Sequence, residues 1–138
     1  MTIHSKETSV KTMFVLMSHE MTPIQIEDAR SRWDVERFVT VPCPLWGQIL
    51  PKADSVCDAV EPARAFLHRE ARPGDLLLVQ GDFGATVAMI GEARKLGLTP
   101  LYATTRRVAE ERVQGDRVVT TRHFEHVRFR IYETECIS

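Results

Sequence analysis

"LLLVQGDFGATVAMIGEARKLGLTPLYATTRR", Leu76 to Arg107, decides the fold. Leu76 to Gln80 is an apolar run without polar alternation, which suits a strand buried on both faces. A turn at Gly81 to Gly84 leads into a helical segment from Gly84 to Leu96, with Gly97 as its C′ residue. A second apolar run, Pro100 to Thr104, follows it. Strand, helix and strand in this order form a βαβ unit, and such a unit sets its strands in parallel.

Toward the amino terminus the same alternation continues. "MFVLMS" from Met13 is another short buried strand that stops at the polar Ser18, His19 and Glu20. Thr22 as N-cap, Pro23 at N1 and Gln25 at N3 make a capping box for a first helix with Ile26, Ala29 and Trp33 on one face. "RFVTV", Arg37 to Val41, is a second strand. The segment after it holds Pro42, Pro44 and Pro51 around Trp46 and reads as an irregular connection. A second helix is expected from Val56 to Glu70, and "RPGD", Arg72 to Asp75, makes a turn into the Leu76 strand. Beyond Arg107, Glu111 to Thr121 carries a Gly-Asp turn between β-like runs, and Val127, Phe129 and Ile131 alternate with Arg128, Arg130 and Tyr132. This is a β-hairpin at the edge of the sheet. The expected fold is therefore α/β, a Rossmann-like three-layer arrangement with a mainly parallel sheet and a C-terminal hairpin, preceded by a poorly ordered tail at 1–12 and occupying 13–138 as one domain.

With 138 residues, the chain fits one domain with a core of its own. Its 18 Lys and Arg against 19 Asp and Glu leave a net charge of −1, so no general field draws it to long nucleic acid or an anionic membrane, and any anion site is local. Cys43, Cys57 and Cys136 fit neither a disulfide framework nor a metal-ligand spacing. They read as reduced thiols of a cytoplasmic protein. No apolar stretch reaches the ~18 residues of a membrane span.

Ligands of open parallel sheets bind beyond the carboxyl ends of the strands. Ser18 and His19, Gln80 to Gly84, and Thr104 to Arg107 are therefore expected on one rim. The amides of Gly81 to Gly84 suit an anion, the hydroxyls of Ser18, Thr104 and Thr105 donate, and Arg106 and Arg107 supply planar cations. Phosphate is the ligand class this favours. Asp82 reads as a helix cap or as an acceptor for a ribose hydroxyl or adenine amine. Phe83 is either a stacking platform for a base or a residue packed under a loop. His19 is the candidate acid or base, with a merely solvated histidine as the competing reading. No Ser-His-Asp triad assembles, and the carboxylates Glu20, Glu110 and Glu111 have no spacing that calls for a metal, so neither metal nor cofactor is expected.

Four blocks, "MFVLMSHEMTPIQIEDA", "LLVQGDFGATVAMI", "PLYATTRR" and "FEHVRFRIYE", together resemble the small CRISPR-associated Csx family numbered twenty. The resemblance runs in order through most of residues 13–132. It implies a Rossmann-like fold related to CARF domains and a ring nuclease that cleaves cyclic oligoadenylate messengers of type III CRISPR defence, such as cyclic tetra-adenylate. A homodimer with the ring across its axis follows from the symmetry of such a ligand. On rim geometry, His19 and Arg106 are the expected catalytic residues of a metal-independent attack by a ribose 2′-hydroxyl. Ser18, Gln80, Gly81, Asp82, Phe83, Gly84, Thr104, Thr105 and Arg107 are the expected binding residues. The alternatives are a sensor or sponge that binds the ring without cutting it, and an unrelated Rossmann-like mononucleotide or interaction domain.

Overall fold

A computed structural model describes residues 10–136 of the chain. Its eight elements run β1 (Thr12–Leu16), α1 (Pro23–Trp33), β2 (Arg37–Thr40), α2 (Cys57–Glu70), β3 (Leu76–Val79), α3 (Phe83–Lys95), β4 (Thr99–Gln114) and β5 (Arg117–Ile131). The strands form one sheet in the order β2-β1-β3-β4-β5. The first four are parallel, and β5 returns antiparallel to β4. The expected α/β architecture with a mainly parallel sheet is present, and helices cover both faces.

β1 and β3 lie at the centre, and every residue in both is buried. Side chains alternate across a strand, so each feeds two cores. Met13, Val15, Leu76, Leu78 and Leu101 pack under α1 with Ala29 and Phe129. Phe14, Leu16, Leu77 and Val79 face α2 and α3, where Ala63, Leu67, Ala85 and Met89 meet them. The result is three layers, with α1 alone on one face. The amino end of the sheet is tied by Asp75, a buried carboxylate that accepts from the Thr12 amide at 3.1 Å and the Arg72 amide at 3.0 Å.

The α1 start is as expected: Thr22 caps, its hydroxyl accepting from the Gln25 amide at 3.3 Å, and the Gln25 side chain accepts from the Thr22 amide at 3.0 Å. Gly97 follows α3 at φ 75°, the left-handed conformation that glycine takes without a Cβ penalty. Several boundaries differ from the sequence reading. Thr12, assigned to the tail, begins β1 and is buried because it pairs beside Arg37; residues 1–9 of that tail lie outside the described residues. α2 and α3 begin at Cys57 and Phe83. The largest difference is β4, which does not end at Thr104. It continues to Gln114, turns at Gly115 (φ 66°) and Asp116, and pairs with β5 from Leu101 onward, so that Thr105 to Glu125 form a two-stranded ribbon.

Candidate functional site

In this strand order the chain crosses from β1 to β2 on one side and to β3 on the other. The carboxyl ends of β1 and β3 are therefore a topological switch point, where connections diverge and leave a crevice. A cavity of about 290 Å³ lies there, lined by Ser18, Trp46, Gly47, Ile49, Gly81 and Asp82. It shares Ser18 with a second cavity of about 370 Å³, which His19, Glu20, Arg30, Phe38 and Thr40 help to line. It shares Gly81 with a third of about 590 Å³, walled by Phe83, Val87, Ile90, Tyr102 and Tyr132. The three adjoin along the carboxyl rim at these shared residues, polar in the middle and apolar over α3. Sites for small ligands commonly occupy ~300–1,000 Å³, so a ligand larger than one nucleotide spans more than one compartment.

The floor is held rigidly. The carbonyl of Gln80 accepts from the Trp46 indole at 2.8 Å, its side-chain oxygen accepts from the Ala103 amide at 2.6 Å, and the Val79 carbonyl accepts from the Tyr132 hydroxyl at 2.6 Å. Gln80 thus spends its acceptor in extending the sheet, although it still lines the apolar compartment. Trp46 also explains Gly81. A Cβ at that position would sit 2.7 Å from the indole Nε1 and 2.9 Å from Cε2, so glycine is required there for packing rather than for a positive φ. Gly84 is under no such constraint, because its Cβ would meet Asp82 Oδ2 at 3.5 Å in ordinary contact.

Asp82 takes the capping role: its Oδ2 accepts from the Ala85 amide at 3.0 Å at the start of α3. One first-turn donor is therefore occupied, while the amides of Phe83 and Gly84 have no partner within the helix, as at any helix start. Phe83 is not packed under a loop. It is 92% exposed, beside the apolar compartment that it shares with Tyr102 and Tyr132, whose rings lie 4.7 Å apart. Ser18 and His19 are exposed at the end of β1, with the His19 Nδ1 3.2 Å from the Glu20 carbonyl.

The structure brings together Ser18, His19, Gln80, Gly81, Asp82 and Phe83 through these shared walls. It does not bring Thr104, Thr105, Arg106 and Arg107 to them. β4 carries those residues past the rim instead of ending there. The Thr104 hydroxyl donates to the Arg128 carbonyl at 3.1 Å, Arg106 pairs with Glu125 at 3.2 Å, and Arg107 turns to the opposite face over the Phe124 ring. The cation that shares a cavity with His19 is Arg30, on α1. Arg30 and Thr40 were not singled out by the sequence, because each sits in a regular element without a motif. Trp46 lay in a segment that the prolines made look like a plain connection. Among the described residues no three His, Cys, Asp or Glu come together to hold a metal ion, and no helix is long and apolar enough to cross a membrane.

The Cys43 thiol, half-buried with its Sγ 3.2 Å from the Ala59 carbonyl, is pushed up from its ordinary pKa by burial, which leaves it a poor nucleophile. Among the described residues the other shifted groups are Tyr132, raised first by burial, and Glu92, lowered first by its hydrogen bond to His68. Glu92 lies on α3, outside the groove.

A protein of Methanocaldococcus jannaschii, described as "Uncharacterized protein MJ1673", is 41% identical over 123 residues, covering 87% of this chain and 95% of its own length. No solved structure matches the chain. The family described as "Uncharacterized protein MJ1673 family" matches residues 11–130, which takes in the sheet up to the last residue of β5 and the rim cavities apart from the Tyr132 to Thr134 wall of the third. The chain belongs to the MJ1673 family.

Proposed function

We propose that this protein is a metal-independent ring nuclease with a CARF-like fold, acting in the cytoplasm on cyclic oligoadenylates such as cyclic tetra-adenylate. The observation that carries the reading is the row of three adjoining cavities along the rim at the β1/β3 switch point, which share Ser18 and Gly81 as walls. Its chemistry changes along its length in the way a ring of alternating phosphates and bases requires. Ser18 and the amides of Phe83 and Gly84 offer donors to a phosphate, helped by the positive end of the α3 dipole. The Phe83, Tyr102 and Tyr132 shelf offers aromatic surface to an adenine, and base stacking of this kind contributes ~1–3 kcal/mol per base.

In the proposed step, a ribose 2′-oxygen attacks the adjacent phosphorus while the bond to the 5′-oxygen breaks. The hydroxyl proton passes to the His19 imidazole, the departing 5′-oxygen takes a proton from water, and the product is linear with a 2′,3′-cyclic phosphate. Alignment supplies most of the rate, since effective molarity is worth ~7–11 kcal/mol at its limit. Arg30 replaces Arg106 as the cation opposite the developing charge, because it shares the His19 cavity whereas Arg106 is engaged by Glu125. Two copies related by a two-fold axis present the groove twice to one ring.

The test is single-turnover incubation with cyclic tetra-adenylate and excess chelator. Linear product is expected, with His19→Ala and Arg30→Ala each slowing its formation by ~10²–10⁴-fold. A stable complex without product supports binding alone, and neither binding nor product refutes the reading.

A further inference from the structure

No residue from Thr105 to Glu125 is buried. A two-stranded ribbon standing alone in water is marginally stable, and strands of 16 and 15 residues greatly exceed the usual ~5–6. The root of this one is tied to α1 by His126, whose side chain is 4% exposed and whose Nε2 lies 2.7 Å from Asp28 Oδ2. The rest of the ribbon projects beyond the rim, and its two faces differ.

One face pairs its charges near the root: Glu125 meets Arg106 at 3.2 Å and His123 at 3.5 Å, with Glu110 at 3.9 Å from His123, while Arg112 and Arg117 toward the tip make no ion pair among the described residues. The other face carries four cross-strand rows, from root to tip Arg107 with Phe124, Ala109 with Arg122, Glu111 with Thr120, and Val113 with Val118. Here Phe124, Val113 and Val118 are 67%, 76% and 64% exposed. Glu111 and Arg122 make no ion pair among the described residues. From Thr105 to Glu125 five arginines alternate with four acidic residues, which does not suit a polyanion or a membrane surface.

We infer that this face is a two-fold interface between two copies of the chain, ribbon laid antiparallel on ribbon. The row order is self-complementary. The first row of one copy falls on the fourth of the other, so Phe124 covers the partner ribbon's tip valines. The second row falls on the third with β4 over β4, so each Arg122 lies diagonally across from the other copy's Glu111, within reach of its long side chain, and the axis runs between these rows. Rows are separated by about 6.7 Å and root rows by about 20 Å, so the overlay turns the two rim grooves toward a common space. The inference rests on the two-fold part of the proposed function and not on its chemistry.

The test is sedimentation velocity of the full chain without ligand. Wild type is expected to be a dimer. Glu111→Arg alone and Arg122→Glu alone place like charges together at both contacts, and each is expected to raise the dissociation constant roughly a hundredfold. Mixed in equal amounts, the two variants restore opposite charges at both contacts and are expected to return to a dimer, a rescue that a pair within one chain cannot produce. Circular dichroism confirms that each variant is folded, and Val118→Asp at the solvent-exposed tip is expected to give the same monomer independently. A monomeric wild type, dimeric single variants, or a mixture of folded variants that stays monomeric would overturn the inference. Cleavage by a monomer sinks the interface and the two-fold part of the proposed function but not its chemistry, whereas a dimer that does not cleave sinks the chemistry alone.

Discussion

Gly81→Ala is the substitution whose effect is most closely fixed by geometry. Its new methyl would lie 2.7 Å from Nε1, 2.9 Å from Cε2 and 3.1 Å from Cζ2 of Trp46, all below normal van der Waals separation. The indole is 5% exposed and anchored to the Gln80 carbonyl, so it cannot swing away without giving up both burial and its hydrogen bond. Forcing a methylene into a packed site costs ~1–3 kcal/mol, and the lost hydrogen bond adds ~1 kcal/mol. The expected destabilisation is therefore about 2–4 kcal/mol, which for a chain of this size lowers the melting temperature by roughly 6–15 °C. Urea denaturation followed by tryptophan fluorescence measures it, and Trp46→Leu supplies the control. With the indole removed, Gly81→Ala should cost much less, so the double variant should fall short of the sum of the singles. A Gly81→Ala protein within 0.5 kcal/mol of wild type, or fully additive singles, would show that Trp46 does not hold the floor of the groove.

Phe83→Ser should weaken binding of cyclic tetra-adenylate by about 10- to 100-fold, measured by calorimetry, because one stacked base is lost; stability should barely change, since the side chain is 92% exposed. Glu92, salt-bridged to Arg64, His68 and Lys95 between α2 and α3, is held below the ordinary carboxylate value of 4.5, first by His68. Its stabilisation is therefore complete above that value and lost as pH falls through the depressed one. Acid unfolding should begin below about pH 4.5, and Glu92→Gln should flatten that part of the stability profile. His126→Ala removes a charge-assisted bond at the ribbon root and should cost about 1.5–3 kcal/mol. Hydrogen exchange at the root of β5 should then quicken, while β1 and β3 amides retain their order of protection.

The central strands were legible because burial on both faces leaves a plain mark: "LLLV" has no polar residue to interrupt it. The α1 start was legible because Thr22, Pro23 and Gln25 each act locally. The β4–β5 pair was only half legible. Its alternation of Val, Phe and Ile with Arg marked strands, but Thr104 to Gln114 bury no face, so no change in hydrophobicity announces that β4 continues past the rim. The placement of Thr104 to Arg107 beside Ser18 depended on β4 ending there and failed with it. At the switch point, Ser18 and Gly81 to Phe83 were readable as the residues after buried strands. Trp46 was not, because its role comes from a proline-bracketed loop folding across the ends of β1 and β3, a contact that spacing along the chain does not encode.

The central claim is that a cyclic oligoadenylate occupies the rim groove. Backbone amide resonances of the chain titrated with cyclic tetra-adenylate test it most directly, using His19→Ala so that the ligand stays intact. Shifts should concentrate at Ser18, Gly47, Gly81, Phe83 and Gly84, and leave Thr12 and Asp75 at the opposite end of the sheet unmoved. Shifts centred on the Asp75 end, or no shifts at saturating ligand, would contradict the account.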